Sequence, residues 1–163
     1  MTWAASKLIE WGSQGGIDPW DPSLVNPASL DLRVGRDARF YLEETGLVDA
    51  ILERHRHPAG PVLLVATLER VRIPVTAAGV VRLKSSMARL GWRLAGAEWI
   101  DPGYEGSLTL CLSHGQPEAL SLRPGQRFAQ LILWDLSGEP GQGYSGRYQG
   151  STGARGYVFS WVS

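Results

Sequence analysis

The sequence predicts a mostly-β protein of one domain, because three of its properties favour many short strands. Its 163 residues include 20 glycines and 10 prolines spread along the chain, which fits strands joined by turns better than long helices. Apolar and polar residues alternate in several segments, as they do where Leu30, Leu32 and Val34 flank Asp31 and Arg33. Hydrophobic residues make up 44% of the chain, which is enough apolar material to form a core.

One short helix is expected near the N-terminus, ahead of the first strand. Residues 6–12 (SKLIEWG) have the pattern of a helix that ends at Gly12. Its apolar side would be formed by Leu8, Ile9 and Trp11. Residues 17–35 are rich in proline at first and end in the alternation of a strand, whereas residues 37–57 fit either a strand followed by a helix or a meandering loop.

Short strands and turns alternate in the rest of the chain. Strands are predicted at residues 61–66, 71–74, 80–83, 92–100, 107–112, 120–122 and 128–134. A helical turn opened by a capping serine interrupts them at residues 84–91, and the sequences DPGYEG and RPGQ predict turns. Residues 1–143 would form the body and residues 144–163 a glycine-rich arm, which we expect to be mobile until a ligand orders it.

Charge and composition argue against several classes of protein. Lys plus Arg equals Asp plus Glu at 16 each, whereas proteins that bind nucleic-acid polymers usually carry a basic excess. A small anionic ligand needs only a few local cations and stays possible. No apolar run reaches the length of a membrane span, and the first residues lack the features of a signal peptide, so we expect a cytoplasmic protein without membrane contact. The single cysteine, Cys111, rules out a disulfide within the chain.

The segment KSSMAR carries the first group of candidate binding residues. The hydroxyls of Ser85 and Ser86, the N–H groups of a helical start and the charges of Lys84 and Arg89 together suit an anion. On spacing alone, a capped surface turn is the commoner use of such a segment.

Two further segments contain residues that could form a ligand pocket. Asp101 follows an apolar strand and precedes a rigid Pro-Gly turn, which suits a carboxylate at the floor of a pocket with Tyr104 as a wall for a sugar. An ordinary turn aspartate is the commoner use of Asp-Pro-Gly.

In YSGRYQGSTG, glycines let the backbone approach phosphates while Arg147, Ser151 and Thr152 supply donors, although a solvated tail has the same composition.

A metal site and a reactive thiol are both poorly supported by the sequence. His55 and His57 are two residues apart, but no third ligand follows at a suitable spacing, so a structural or solvated role is expected. Cys111 lies in the apolar strand LTLCL, where a buried and inert thiol is the ordinary expectation.

Taken in order, these segments resemble the dCTP deaminase and dUTPase superfamily, and most closely its deaminase branch with the bifunctional deaminase–dUTPases. The matching segments are IDPWDPSLVNPASLDLRVG, ATLERVRIP, KSSMARLG, WIDPGYEGSLTL, LRPGQRFAQLIL and GYSGRYQG, which leave out roughly residues 36–61. The resemblance implies a β-roll, or distorted β-barrel, in a homotrimer with active sites between subunits. It also implies that the arm closes over a bound pyrimidine deoxynucleotide, dUTP or dCTP, with Mg²⁺ held mainly by the triphosphate and no metal ligand from the chain.

The resemblance assigns roles to individual positions. Asp101 matches the aspartate that orients and deprotonates the attacking water in dUTPases. The positions that match nucleotide contacts in the family are Lys84, Ser85, Ser86, Arg89, Ala97, Trp99, Ile100, Tyr104, Gln130, Tyr144, Arg147, Tyr148, Ser151 and Thr152.

The chain departs from the deaminase pattern at Cys111. Deaminases resemble this chain in that strand but carry a glutamate ten residues after the aspartate, where it moves protons at the cytosine ring. A thiol replaces it poorly, and the GSTG ending of the arm resembles the last dUTPase motif. We therefore expect hydrolysis of dUTP to dUMP and pyrophosphate. A dCTP deaminase or bifunctional enzyme with another proton carrier, and a nucleotide-binding sensor without catalysis, are the alternatives.

Overall fold

A computed structural model of the chain describes residues 1–42, 46–49, 62–96, 98–116 and 121–156. The predictions for His55, His57 and Ala97 lie outside these residues. Within them the protein is mostly β, as the sequence predicts, with a curled, half-barrel sheet of the β-roll type.

The predicted N-terminal helix is present as α1 (Ala5–Trp11). Leu8 and Trp11 are buried, but Ile9 is 46% exposed, so the prediction that Ile9 shares their face is wrong. The reason is helical geometry: residues three apart lie on one face, whereas the residue next to Leu8 is turned by about 100°. The chain leaves α1 through a turn at Gly12–Gly16, in which Gly15 adopts a φ of 85°.

Strands account for most of the remaining described residues. Their bounds are β1 (Ile17–Asp18), β2 (Val25–Asn26), β3 (Ser29–Leu42), β4 (Gly46–Asp49), β5 (Leu63–Arg72), β6 (Ala77–Leu83), β7 (Trp92–Leu94), β8 (Trp99–Ile100), β9 (Glu105–His114) and β10 (Arg127–Asp135). A second short helix, α2 (Ser85–Arg89), interrupts them. Among the described residues the sheet runs in the order β7-β9-β5-β3-β10-β6-β8, with β1 beside β5 and with β2 and β4 beside β3.

Three strand predictions differ from the structure. Residues 61–66 and 71–74 were expected to form separate strands, but β5 is continuous to Arg72 and bulges between Ala66 and Arg70. Residues 92–100 form two strands, because β7 pairs with β9 while β8 pairs with β6. Residues 121–122 are not a strand, although Leu122 is fully buried.

The core lies on the inner face of the curled sheet and against α1. The alternation of Leu30, Leu32 and Val34 along β3 correctly predicts that these side chains are buried. The largest fully buried side chains are Phe128, Leu8, Leu24, Leu30, Leu32, Leu63, Ile73, Met87, Leu110, Leu112, Leu122 and Leu131.

A buried ion pair joins β3 to β5 at the bulge. Glu69 is fully buried, and its Oε1 accepts a hydrogen bond of 2.6 Å from Nε of Arg33. Its Oε2 accepts a second bond of 2.8 Å from the backbone N–H of Arg33. The hydroxyl of Thr67 donates to the carbonyl oxygen of Glu69 and accepts from the N–H of Leu108. A buried carboxylate is tolerated only with such partners, because its desolvation costs several kcal/mol.

We expect Arg33→Met to lower the free energy of unfolding by about 3 kcal/mol, because it leaves the buried carboxylate of Glu69 without its cation. Urea denaturation followed by tryptophan fluorescence measures the change. Arg36→Met, at an exposed position on the same strand, is the matched control and should change stability by less than about 0.5 kcal/mol. Equal effects of the two variants would contradict the structural role of the pair.

Candidate functional site

The segment with the two serines forms α2, but not in the way that the sequence suggests. Lys84 occupies the N-cap position in an extended conformation, and no side chain caps the helix. The predicted serine cap is therefore wrong, because Ser85 and Ser86 already lie in the first helical turn. Both serines are exposed, as is Arg89 in the last turn, while buried Met87 anchors the helix to the core.

Lys84 is held by a buried carboxylate of β3. Its Nζ lies 2.7 Å from each carboxylate oxygen of Asp31, which is 1% exposed. Asn26 and Gln130 also donate to Oδ1 of Asp31, at 2.8 Å and 3.4 Å, and Arg127 lies 3.5 Å from Oδ2. Because these donors compensate the buried charge, Asp31 fixes Lys84 at the start of α2 and also contacts Gln130 of β10.

Asp101 lies at the end of the edge strand β8 and is exposed. Its Oδ1 accepts a hydrogen bond of 2.8 Å from the indole Nε1 of Trp99. Ile100 between them is buried and pairs with Gly79 of β6. The chain then turns through Gly103, whose φ of 79° requires glycine, and the N–H of Tyr104 donates to the carbonyl oxygen of Asp101.

Tyr104 packs between β9 and the C-terminal arm. It is 8% exposed, its hydroxyl donates to the carbonyl oxygen of Ser107 at 2.7 Å, and burial raises the pKa of that hydroxyl. Its ring centroid lies 5.8 Å from that of Tyr144, and the Tyr144 hydroxyl accepts from the N–H of Tyr148. The arm therefore brings two of its predicted site residues, Tyr144 and Tyr148, close to Tyr104.

The arm is hydrogen-bonded to the first residues of β9, along the edge where β7 pairs with the last residues of that strand. The N–H of Gly150 donates to the carbonyl oxygen of Glu105 at 2.8 Å, and the N–H of Ser107 donates to that of Ser151 at 2.9 Å. The other half of this edge is paired with β7. Arg147 and Thr152 are exposed.

The described part of the arm is hydrogen-bonded to the body at further points, whereas its expected mobility stays a prediction. Further along, the N–H of Ala154 donates to the carboxylate of Asp37, and that of Arg155 donates to the Thr109 hydroxyl. Glycines permit this close approach, since a Cβ at Gly106 would lie 2.8 Å from the nitrogen of Ser151. Composition misses such docking because it depends on backbone hydrogen bonds, which leave little trace in side-chain pattern.

In this position of the arm, the hydroxyl hydrogen of Ser151 is already donated to a backbone carbonyl and cannot also bind a phosphate. Its side chain is 4% exposed, and Oγ donates to the carbonyl oxygen of Tyr148 at 2.6 Å. A contact between this hydroxyl and a phosphate therefore requires the arm to rearrange.

Cys111 lies on β9 beneath the arm. It pairs with Leu64 of β5 and packs with a small apolar cluster that contains Leu64, Ala66 and Ala154. Burial raises the pKa of the Cys111 thiol. The thiol is therefore mostly protonated near neutral pH, which makes it a weak base and a weak nucleophile.

The candidate residues form two groups at opposite ends of β6. Ile100, which precedes Asp101, pairs with Gly79, whereas α2 begins at Ser85. Six residues of extended chain separate these points, which is about 20 Å. One group contains Trp99, Asp101, Tyr104 and the arm, and the other contains Lys84, Gln130 and the exposed side of α2. A single chain does not bring the two groups together.

Comparison with known proteins decides the family. The family model described as dCTP deaminase-like matches residues 3–136, which include both groups up to the arm. The chain belongs to the dCTP deaminase-like family. The resemblance found in the sequence is thereby confirmed, as is the dUTPase-like fold.

Relatives in this family cover nearly the whole chain. The dCTP deaminase of Pyrococcus horikoshii is 39% identical over 137 residues, which are 83% of this chain and 85% of the relative. A protein of Aquifex aeolicus named "dCTP deaminase, dUMP-forming" is 35% identical over 158 residues, which are 90% of this chain and 87% of the relative.

Two solved structures support the fold. The dCTP deaminase of Agrobacterium tumefaciens superposes with a TM-score of 0.70 at 22% identity, over 81% of this chain and 47% of that one. This chain thus spans about half of that structure's length. Native EIAV dUTPase superposes with a TM-score of 0.50 at 26% identity, over 75% of this chain and 87% of that one.

Two negative findings concern the described residues of this dCTP deaminase-like protein. No helix among them is long and apolar enough to cross a membrane. They also contain no group of three His, Cys, Asp or Glu side chains that could hold a metal ion.

Sequence reasoning misses Asp31 and Asp37 as residues that organise the site. Both lie on β3, and the sequence analysis names neither of them as a candidate site residue. The available signal for Asp31 was its position in the longest alternating stretch, between Leu30 and Leu32, where a central strand buries both faces.

We expect Gly153→Ala to release the end of the arm. Gly153 has a φ of 72°, and a Cβ there would collide with the carboxylate of Asp37. Strain of this kind costs about 1–3 kcal/mol, so the open population of the arm should rise by about 5- to 150-fold. The rate at which iodoacetamide alkylates Cys111, followed by mass spectrometry, should rise accordingly, because Ala154 no longer covers the thiol.

Gly141→Ala is the control for this prediction, since Gly141 lies just ahead of the arm and a Cβ there would meet nothing within 4 Å. An alkylation rate that is the same in both variants would contradict the attachment of the arm over Cys111.

Proposed function

We propose that this dCTP deaminase-like protein binds a pyrimidine deoxynucleoside triphosphate and hydrolyses dUTP to dUMP and diphosphate. The family and its named relatives support a role in pyrimidine deoxynucleotide metabolism. The choice of hydrolysis rests on the chain's own residues at positions 101 and 111.

Cys111 is the observation that carries the choice. The resemblance aligns it with the glutamate that deaminases use to move protons at the base. Its thiol is partly buried in an apolar cluster and has a raised pKa, so it offers no carboxylate and little thiolate for that work. Asp101, in contrast, is an exposed carboxylate at a strand end, with one oxygen held by Trp99.

In the proposed mechanism Asp101 accepts a proton from water while that water attacks the α-phosphorus in line. The bond from the α-phosphorus to the bridging oxygen breaks, and diphosphate leaves. Ser85, Ser86 and Arg89 donate hydrogen bonds to phosphate oxygens, and Arg147 adds positive charge from the arm. Catalysis of this kind depends mainly on positioning and charge stabilisation.

A homotrimer with shared sites would unite the two groups of residues. Asp101 and α2 lie at opposite ends of β6 in one chain, so each proposed site takes its aspartate from one subunit and its serine–arginine helix from the next. The resemblance of the sequence segments to the dCTP deaminase and dUTPase superfamily implies this arrangement. The trimer and the cytoplasmic location remain predictions.

Magnesium fits this site as a companion of the triphosphate. The described residues offer no cluster of three ligands, and Asp31 is already engaged by Lys84 and Asn26. Mg²⁺ commonly keeps several waters and binds through substrate phosphates. When bound it would neutralise phosphate charge, while the residues of the chain position the nucleotide and the water.

Deamination of dCTP is the second candidate, and the names of the relatives support it more directly than they support hydrolysis of dUTP. The Aquifex relative, named as dUMP-forming, joins both reactions in its name. A deaminase would need a proton carrier other than Cys111. Glu98 forms an ion pair with Arg82, and hydrogen bonding to Arg72 lowers the pKa of Glu105, so both carboxylates are already engaged.

The deciding assay incubates the purified full chain with dUTP or dCTP and Mg²⁺ and measures diphosphate and ammonia separately. Diphosphate from dUTP supports hydrolysis, and ammonia from dCTP supports deamination. Tight nucleotide binding without either product supports the third possibility, a sensor.

We expect Asp101→Asn to lower kcat for dUTP by about 10²–10⁴-fold, because the base is lost. Nucleotide binding, measured by calorimetry, should persist because the phosphate contacts lie elsewhere. Glu10→Gln, an exposed carboxylate on α1, serves as the control for loss of a surface charge. Near-normal turnover in Asp101→Asn would show that Asp101 is not the base.

We expect Cys111→Glu to gain release of ammonia from dCTP that the native chain lacks, because it restores a carboxylate at the deaminase position. Cys111→Ser is the matched control, since it removes the thiol without adding a charge. Ammonia release by the native chain at the rate of Cys111→Glu would instead favour the deaminase candidate.

A further inference from the structure

Three side chains share the outer face of the sheet where β8 forms its edge. Trp99 lies opposite Val80 of β6, and Asp101 follows two residues later, so both point to the same face. Trp134 of β10 pairs with Ala78 from the other side of β6. Because Ala78 and Val80 are also two residues apart, the register places Trp134 on that face as well.

Two contacts determine the orientation of Trp99. Its ring meets the ring of Trp134 edge to face, with centroids 5.4 Å apart and planes at 60°. Its Nε1 donates to Oδ1 of Asp101 at 2.8 Å. The side chain is 56% exposed, so burial in the core does not hold it in place.

We infer that Trp99 is a positioning residue for Asp101, an inference that rests on the proposed hydrolytic function. The indole occupies one carboxylate oxygen and turns the other toward the position of the attacking water. An indole N–H is a donor without acceptor capacity, so it cannot compete with Asp101 for the proton of that water. This role differs from the nucleotide contact that the resemblance assigns to Trp99.

The contact with Trp134 explains why the largely exposed side chain of Trp99 keeps this orientation. Aromatic pairs in edge-to-face geometry are stabilised beyond the effect of burial alone. Trp134 itself is anchored by the backbone pairing of β10 with β6, in which it lies opposite the small side chain of Ala78.

The first test compares two variants in which a tryptophan is replaced by phenylalanine. Trp99→Phe keeps an aromatic ring beside Trp134 but removes the N–H that Asp101 accepts. We expect kcat for dUTP to fall about tenfold with KM changed by less than about twofold, because the loss affects positioning of the base while the phosphate contacts proposed for Ser85, Ser86 and Arg89 remain. Trp134→Phe, which keeps the N–H of Trp99, should stay within about twofold of the native kcat.

The second test detects the hydrogen bond without any turnover. The seven tryptophans of the full chain give seven indole ¹⁵N–¹H signals, and the signal absent in Trp99→Phe identifies Trp99. In Asp101→Asn this signal should move further than the other six, since the charged acceptor is gone. In Glu10→Gln it should stay in place.

The outcomes separate this inference from the proposed function. An unmoved Trp99 signal in Asp101→Asn, or equal kcat in the two Trp→Phe variants, overturns the positioning role even if dUTP is hydrolysed. A native protein without turnover overturns the proposed function and the positioning role with it. A moved signal together with the selective loss of kcat supports the inference.

Discussion

The pairing of β6 with β10 on one side and β8 on the other determines where the candidate site residues lie. β8 contributes only Trp99 and Ile100 to the sheet, yet this short pairing fixes the point at which Asp101 leaves it. The far end of β6 leads through Lys84 directly into α2. The length of one strand thus sets the distance between the carboxylate and the serine–arginine helix.

Two buried carboxylates stabilise the parts of the sheet that hold these residues. Asp31 fixes the entry to α2 through Lys84, and Glu69 joins β3 to the bulge of β5 through Arg33. Each carboxylate has several donors, which is the condition under which a buried charge is tolerated. Both lie in segments with the sequence resemblance, SLDLRVG and ATLERVRIP, so these segments contribute structural ion pairs to the fold.

The sequence predicts the fold class, the N-terminal helix and most strands because alternation and glycine–proline punctuation reflect local geometry. It also predicts the family, because six short segments occur in the expected order. It does not predict the continuity of β5, because residues 67–70 (TLER) are mostly polar and interrupt the apolar pattern. In the structure the strand bulges here, and Glu69 bonds to Arg33 of β3. The start of α2 at Lys84, the burial of Asp31 and the docking of the arm depend on distant partners, which a local pattern cannot contain.

The position of the arm also has a consequence for self-association. β7 and residues 150–151 occupy different parts of the same edge of β9. The backbone N–H and C=O groups of β9 near Ser107 therefore have hydrogen-bond partners within the chain. If the arm swings away to enclose a ligand, those groups become a template to which a strand from any neighbouring molecule can add. Ligand-driven movement would therefore carry a transient risk of edge-to-edge aggregation, which a return of the arm, or its replacement by the arm of another copy, would remove.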